Sequence, residues 1–325
     1  MNILVAGGAG YIGSVNIEKL LSAGHEVVVY DNLSTGHREA VHPDSLFIEG
    51  DLGDKDKLDS LFRQHKIDAV MHFAAFIQVG ESMKDPARYF TNNVGNVINL
   101  LNVMLAHDVK KFVFRSTAAV YGEPEEVPIT ELAPERPTNP YGECKLMVER
   151  ILRWYDALIG LRYVSLRYFN AAGASESYGE DHSPETHLIP IVIKVALGQQ
   201  QRLMINGADY PTPDGTCIRD YIHILDLAQA HLLALKRLEE GSGVYNLGNG
   251  NGYSVKEVVD AVKRVTGKPI EIMIGPRRPG DAISLVASAE KAKRGLGWNP
   301  RFTDLDSIIE SAWKWHSKYP HGYRK

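Results

Sequence analysis

The sequence is poor in cysteine, in clustered basic residues and in long hydrophobic runs. Cys144 and Cys217 are the only cysteines among 325 residues, and their spacing matches no metal-binding motif. This scarcity favours a reducing compartment over a disulfide framework, so we expect a cytoplasmic protein without a metal site. The formal net charge of -4 and the lack of a Lys/Arg block argue against nucleic acid as a partner.

No apolar run reaches the roughly 18 residues that a membrane-spanning helix needs. The N-terminus enters a strand-like segment at once, so we expect neither a membrane partner nor a signal peptide. Hydrophobic residues make up 44% of the chain and charged residues 23%, as in ordinary globular proteins. A chain of this length forms two domains or one large one.

The first half of the chain alternates short apolar runs with longer mixed segments. Such runs, rich in Val, Ile and Phe, are typical of buried parallel strands separated by helices. We therefore predict an α/β fold with a doubly wound, Rossmann-type parallel sheet. The predicted strands are Asn2–Ala6, Glu26–Tyr30, Ala69–His72, Lys111–Phe114 and Tyr163–Tyr168.

The character of the chain changes after Asn170. Residues 171–185 are polar and favour a linker or a loop over a site, and residues 208–216 also favour a loop. Short helices and strands follow, which indicates a second, smaller α/β domain. We predict a dinucleotide-binding domain at 1–170 and a substrate domain at 171–325, and the segment near 244–248 can return to the main sheet.

A glycine-rich turn lies directly between the first strand and the first helix. Gly7 permits a tight turn, Gly10 lets backbone approach a pyrophosphate, and Gly13 allows close helix–strand packing. Asp31 ends the second strand, where an acid can bind ribose hydroxyls and would repel the 2′-phosphate of NADP. The sequence therefore predicts NAD as cofactor, with phosphates at the helix N-terminus.

Further residues at strand ends extend this predicted cofactor site. The segment Asp51-Leu52 follows a further short strand between the predicted strands Glu26–Tyr30 and Ala69–His72, and its acid either reaches the adenine edge or only caps a loop. Small residues in Phe73-Ala74-Ala75 leave room for a cofactor crossing the sheet. Asn92 lies in a helix, where a lone asparagine is usually only solvated.

A second constellation carries chemistry. Ser116 and Thr117 follow a strand, and Tyr141 and Lys145 are four residues apart on one helix face. A tyrosine is a poor base because its ordinary pKa is about 10, but a nearby ammonium favours the phenolate. Such a tyrosine can act as a general base toward a sugar hydroxyl, with Thr117 sharing the hydrogen bonding.

With these motifs together, the sequence resembles the extended short-chain dehydrogenase/reductases and, within them, the UDP-sugar 4-epimerases. The resemblance covers nearly the whole chain, and the stretch from Gly215 to His223 is its most specific part. It implies bound NAD as a hydride shuttle in interconverting UDP-galactose and UDP-glucose through a transient 4-keto sugar. It also implies a homodimer, for which helices at 94–106 and 141–158 offer apolar faces.

The resemblance assigns residues to three roles. The catalytic residues are Tyr141, Lys145 and Thr117. The NAD-binding residues are Gly7, Gly10, Tyr11, Ile12, Gly13, Asp31, Asn32, Asp51, Leu52, Phe73, Ala74, Ala75, Asn92, Ser116, Tyr141, Lys145, Tyr168 and Phe169. The UDP-sugar-binding residues are Thr117, Tyr141, Asn170, His187, Leu188, Arg219, Tyr221, Arg278, Asp281 and Leu285.

Some positions leave alternatives open. Arg115 stands where close relatives often carry serine, and we expect its guanidinium to turn outward. Ile77 replaces a lysine that some relatives place near the cofactor. Leu285 is intermediate in size where relatives differ, so an epimerase for N-acetylated or both kinds of UDP-sugar is the first alternative. A dehydratase, a reductase or a non-catalytic NAD sensor fits the motifs less well.

Overall fold

A computed structural model describes residues 1–278 and 281–323. Its strands are β1 (Asn2–Ala6), β2 (Glu26–Asp31), β3 (Leu46–Glu49), β4 (Ala69–His72), β5 (Lys111–Thr117), β6 (Arg162–Tyr168), β7 (Asn170–Ala172), β8 (Leu203–Asn206), β9 (Ile218–His223), β10 (Gly243–Leu247), β11 (Gly252–Ser254), β12 (Ile272–Gly275) and β13 (Ser284–Leu285).

The α-helices alternate with these strands. They are α1 (Tyr11–Ser22), α2 (Lys55–Gln64), α3 (Val79–Ser82), α4 (Pro86–Phe90), α5 (Asn96–Ala106), α6 (Pro140–Ile159), α7 (Leu188–Ala196), α8 (Ile224–Arg237), α9 (Val255–Thr266), α10 (Glu290–Leu296) and α11 (Leu305–Lys318). Gly24, which lies just beyond the end of α1, has a left-handed φ of 79°. Among the described residues, no helix combines the length and apolarity needed to cross a bilayer.

Seven parallel strands form the main sheet, in the order β10-β6-β5-β4-β1-β2-β3. Both faces are buried: Ile3 and Val5 of β1 join one apolar core, and Leu4 and Ala6 join the core on the opposite face. Apolar residues on both faces explain why these strands are continuous hydrophobic runs. The predicted doubly wound α/β fold is confirmed, and β5 extends three residues beyond its predicted end.

The rest of the chain builds a smaller region beside this sheet. Strand β9 pairs with β7, β11 and β13, and β8 pairs with β12. Helices α7, α9 and α11 share a separate apolar core there. Helix α8 packs on α1, and β10 pairs with β6. Residues 224–247 therefore pack as part of the main-sheet region, although they follow β7–β9 in the chain.

Candidate active site

A cavity of about 1150 Å³ lies between the main sheet and the smaller region. It opens at the carboxyl ends of the parallel strands, on both sides of β1, where the direction of strand winding reverses. Ligands of open α/β sheets bind at this position. Every predicted site residue lines the cavity except Lys145.

The glycine turn forms one wall as predicted. Gly7 has a φ of 81°, and a Cβ there would lie 2.4 Å from the backbone nitrogen of Ala74. A Cβ on Gly13 would lie 2.4 Å from the carbonyl oxygen of Gly7, so only glycine lets α1 pack this closely. A Cβ on Gly10 would meet nothing closer than 3.7 Å, which leaves open space in front of the helix N-terminus. These features fit a pyrophosphate.

Asp31 lines the cavity and also holds the glycine turn. Its carboxylate accepts hydrogen bonds from the backbone of Ala9 at 2.9 Å and of Leu33 at 2.8 Å. Burial raises the pKa of Asp31, while these two amides oppose the shift. Each carboxylate oxygen keeps a second lone pair for a ribose hydroxyl. The residues present therefore fit NAD, and sequence reasoning missed the structural half of this aspartate's role.

The adenosine end of the cavity contains a second acid. The Asn32 side chain donates to Asp51 at 2.6 Å, and the Tyr30 hydroxyl donates to the Asp51 carbonyl at 3.0 Å. The Asp51 carboxylate also accepts from the Gly53 backbone at 2.7 Å. Asp51 therefore holds the loop in shape and also lines the cavity. The two roles considered for it, loop cap and cofactor contact, are compatible.

The segment after β4 is held by an asparagine that sequence reasoning did not single out. The Asn93 side chain accepts from the backbone nitrogen of Phe76 and donates to its carbonyl, each at 2.9 Å. Its neighbour Asn92 lines the cavity and donates to Asn93 at 2.9 Å. This clamp fixes the wall formed by residues 73–78, which includes Ile77.

Thr117 and Tyr141 line the same cavity because helix α6 packs against β5. Asn139 caps α6 by accepting from the Gly142 backbone at 2.9 Å. A Cβ on Gly142 would lie 2.6 Å from the carbonyl oxygen of Ala119, so glycine permits this close approach. Among the described residues, no side chain or backbone group hydrogen-bonds the Tyr141 hydroxyl, which leaves it available to a ligand.

Lys145 lies one turn further along α6, behind the cavity wall. Its ammonium donates to the main-chain carbonyl of Arg115 at 3.0 Å and lies 4.8 Å from the centre of the Phe114 ring. Complete burial, followed by the charge of Arg115, lowers the pKa of Lys145 well below its ordinary value. The i,i+4 relation to Tyr141 is confirmed, but the lysine supports the site from behind.

The expectation that Arg115 turns outward is wrong. Its guanidinium lies 5.7 Å from the centre of the Tyr168 ring, and the side chain lines the cavity. Position 115 alternates with the buried Phe114 and Ser116 along β5, which directs its side chain to the face covered by α8. Its Nε is buried and has no hydrogen-bond partner among the described residues.

Behind Thr117 lies a buried polar network that the sequence motifs did not reveal. The Ser116 hydroxyl donates to Glu149 at 2.5 Å, and Arg167 donates to the same carboxylate through two nitrogens. Arg167 also donates to the Tyr121 hydroxyl at 2.9 Å. The Ser116 side chain therefore braces β5 against α6, although the residue itself lines the cavity.

The opposite end of the cavity brings together the predicted UDP-binding residues. Asp281 forms ion pairs with Arg219 at 3.7 Å and with Arg278 at 3.3 Å. The Arg219 guanidinium also donates to the carbonyls of Ile218 and Ala282, each at 2.8 Å. The two arginines thus converge on one wall of the cavity. Asn170, Tyr221 and Leu285 complete this end of the cavity.

His187 belongs to a cluster that sequence reasoning missed. It precedes α7, and its ring lies 2.9 Å from both Glu180 and Glu185. Burial lowers the pKa of His187, but the two carboxylates outweigh burial and raise it to about 10. The same competition raises the pKa of His182 to about 9. The only sequence signal was the polar composition of residues 171–185.

Comparison with known proteins supports this geometry. Residues 3–248 match the NAD dependent epimerase/dehydratase family. A UDP-glucose 4-epimerase from Halalkalibacterium halodurans is 56% identical over 327 residues, covering 99% of this chain and 98% of the relative. A crystal structure of a UDP-glucose 4-epimerase is 54% identical, with a TM-score of 0.97 and complete coverage of both chains. A Bifidobacterium longum UDP-glucose 4-epimerase, solved with NAD+ and UDP, is 41% identical, with a TM-score of 0.94 and coverage of 99% of this chain and 100% of that chain.

Proposed function

The chain belongs to the NAD dependent epimerase/dehydratase family, and from that premise we propose that it interconverts UDP-galactose and UDP-glucose with retained NAD. One observation carries the proposal. A single cavity joins the glycine turn and Asp31 at one end to Arg219 and Arg278 at the other, with Tyr141 among its lining residues. A dinucleotide and a nucleotide sugar therefore have adjoining places in one chamber.

The NAD end of the chamber offers two kinds of group to the cofactor, which are backbone N–H groups and the carboxylate of Asp31. The N-terminus of α1 would hold the pyrophosphate, and Asp31 would accept hydrogen bonds from the ribose hydroxyls. When bound, NAD would supply reversible hydride transfer at C4 of the sugar. The carboxylate at Asp31 would repel a 2′-phosphate, so we expect NAD to be preferred over NADP.

The chain's own part in the chemistry is proton transfer. The phenolate oxygen of Tyr141 accepts the proton from O4 of the sugar and later returns it. Thr117 shares the hydrogen bonding to that oxygen. Lys145 supports the site from behind the cavity wall through its bond to the Arg115 carbonyl, and the Ser116–Glu149–Arg167 network keeps β5 and α6 in register.

The UDP end supplies charge complementarity and specificity. The planar guanidinium groups of Arg219 and Arg278 suit a diphosphate, and Asp281 orients both while facing the uridine ribose. We propose the division predicted from sequence, with residues 1–170 binding NAD and 171–325 binding the nucleotide sugar. Strand β10 serves the first of these by completing its sheet, and α8 packs on α1 beside it.

Two alternatives differ in specific residues. Leu285 lines the sugar end, and its intermediate size leaves room for activity on N-acetylated UDP-sugars. A dehydratase needs an additional acid and base after Thr117, where this chain has Ala118 and Ala119. The second alternative is therefore disfavoured by the site itself.

The proposed activity is tested by incubating purified protein with UDP-galactose, without added NAD, and measuring UDP-glucose. Tyr141→Phe should lower kcat by about 10²–10⁴ while UDP binding stays nearly unchanged, because only the proton-transferring hydroxyl is lost. Tyr155→Phe is the matched control, since Tyr155 lies on the same helix outside the cavity. Near-normal turnover of Tyr141→Phe would contradict the assignment, and NADH release in proportion to substrate would indicate an oxidising enzyme.

We also propose that the protein is a cytoplasmic homodimer. Helix α6 exposes Trp154 and Leu158, with 66% and 75% of each residue accessible, beside α5. Trp154→Glu combined with Leu158→Glu should shift sedimentation from dimer to monomer. Leu132→Glu, at a 95% exposed position elsewhere, should not. A monomeric parent protein would contradict this proposal. Both cysteines are free, which suits a reducing compartment.

A further inference from the structure

Two glutamates and two histidines cluster within one loop at the edge of the cavity. Glu180, His182, Glu185 and His187 all lie between β7 and α7, and each contributes a possible ligand atom within 4.8 Å of the others. No residue of the proposed proton transfer belongs to this cluster. Two imidazoles and two carboxylates form a donor set that suits zinc, whereas calcium and magnesium prefer oxygen ligands alone.

The distances within the cluster approximate a tetrahedron. His187 Nδ1 lies 2.9 Å from an oxygen of Glu180 and 2.9 Å from an oxygen of Glu185. His182 Nδ1 lies 3.3 Å and 3.7 Å from oxygens of the same two carboxylates. Zinc–ligand bonds of about 2.0–2.1 Å place tetrahedral ligand atoms about 3.3 Å apart, so little movement is needed to enclose an ion.

Burial adds an independent indication. The side chains of Glu180 and Glu185 are only 5% and 4% exposed, and buried carboxylates are either paired with cations or bound to metals. His182 Nδ1 is shielded from solvent and has no properly oriented hydrogen-bond partner within residues 1–278 and 281–323. A nitrogen that faces two carboxylates without donating to either has a geometry suited to metal coordination.

The cluster also contacts the cofactor wall. The Tyr11 ring, in the first turn of α1, packs edge-on against His182 with ring centres 6.4 Å apart. The Tyr11 hydroxyl donates to the carbonyl of Gly173 at 2.6 Å, at the start of the same loop. Fixing residues 180–187 would therefore fix a stretch of cavity wall that touches the glycine turn.

We propose that Glu180, His182, Glu185 and His187 form a structural zinc site that fastens this loop over the cavity. The two carboxylates and two neutral imidazoles balance the charge of a Zn²⁺ ion. The site then assigns the His187 side chain to the metal, while Leu188 remains at the UDP end. This assignment is independent of the proposed epimerase reaction, because it concerns binding and loop order alone.

The test uses untagged full-length protein treated with EDTA and then dialysed. We expect Zn²⁺ titration to show one ion per chain, a raised Tm, and, with Co²⁺ as a spectroscopic substitute, the intense visible bands of a tetrahedral site. His182→Gln should weaken Zn²⁺ binding at least tenfold. His107→Gln is the matched control, because His107 has similar exposure and a single carboxylate partner, Asp59.

Each outcome decides the assignment. Stoichiometric Zn²⁺ uptake that His182→Gln weakens and His107→Gln does not would support it. Failure of the parent protein to take up Zn²⁺ would overturn it and leave two histidine–carboxylate ion pairs as the explanation of the cluster. Equal binding by the parent protein and His182→Gln would also overturn it. Circular dichroism and NAD retention confirm that the variants are folded, and Co²⁺ spectra of the parent protein require no variant.

Discussion

The ammonium of Lys145 donates a hydrogen bond to the main-chain carbonyl of Arg115, 3.0 Å away. This bond ties α6 to the strand that ends two residues later at Thr117. Tyr141 lies one helical turn before Lys145, so the bond indirectly sets the distance between the tyrosine and the threonine. The acceptor is backbone, and the identity of the side chain at position 115 therefore does not decide whether the bond forms.

Two substitutions separate the two partners of this bond. Lys145→Met removes the donor and its charge, and we expect kcat to fall about 10²-fold or more, as for the loss of preorganised electrostatic support. Arg115→Ser keeps the acceptor and removes a neighbouring positive charge that lowers the pKa of Lys145. We therefore expect Arg115→Ser to retain most of its turnover. Steady-state kinetics with UDP-galactose measure both, and equal losses would show that the guanidinium itself takes part.

Asp31 should control both cofactor choice and the stability of the glycine turn. Asp31→Ala removes the charge that repels a 2′-phosphate and also the acceptor for the Ala9 backbone. We expect NADH affinity to fall at least tenfold and the preference for NADH over NADPH to narrow, as measured by fluorescence titration of cofactor-free protein. Glu49→Gln, in register with Asp31 on β3 but outside the cavity, is the control. An unchanged preference would contradict the charge argument.

The sequence predicted the scaffold of the site because its signals are local. Apolar runs identify strands buried on both faces, and Gly7 and Gly13 stand where backbone contacts leave no room for a Cβ. An i,i+4 spacing places Tyr141 and Lys145 on one face of α6. That spacing does not reveal that Lys145 is buried behind the cavity wall, because its burial depends on how α6 packs against β5.

Contacts between distant segments could not be predicted in the same way. Ser116 and Glu149 are 33 residues apart and are joined only by the packing of β5 against α6. Asp31 also accepts a hydrogen bond from the Ala9 backbone, and this bond depends on how closely the turn after β1 approaches the end of β2. The Glu180–His187 cluster is local in sequence, but its spacing matches no familiar metal motif, and only the fold of the loop brings the four side chains together.

Leu285 should set the tolerance for a substituent at C2 of the sugar. It lies on β13 opposite Arg219 and lines the cavity. Leu285→Tyr adds bulk there, and we expect kcat/KM for UDP-N-acetylglucosamine relative to UDP-glucose to fall by about 10–200-fold, the range for steric discrimination. Leu285→Met preserves volume and should leave the ratio nearly unchanged. A ratio unaffected by Leu285→Tyr would place the C2 substituent elsewhere.

Buried His231 should make the fold sensitive to acid. Its ring is fully buried against Phe73, and burial lowers its pKa to about 4. The unfolded chain, with a histidine pKa of about 6.5, binds the proton more readily, so stability is complete above pH 6.5 and falls toward pH 4. This group contributes up to about 1.4 kcal/mol per pH unit in that window. Urea unfolding at several pH values should show a shallower fall for His231→Leu and an unchanged fall for His321→Leu, at an exposed position. Parallel curves for His231→Leu and the parent protein would mean that His231 is already charged in the folded state.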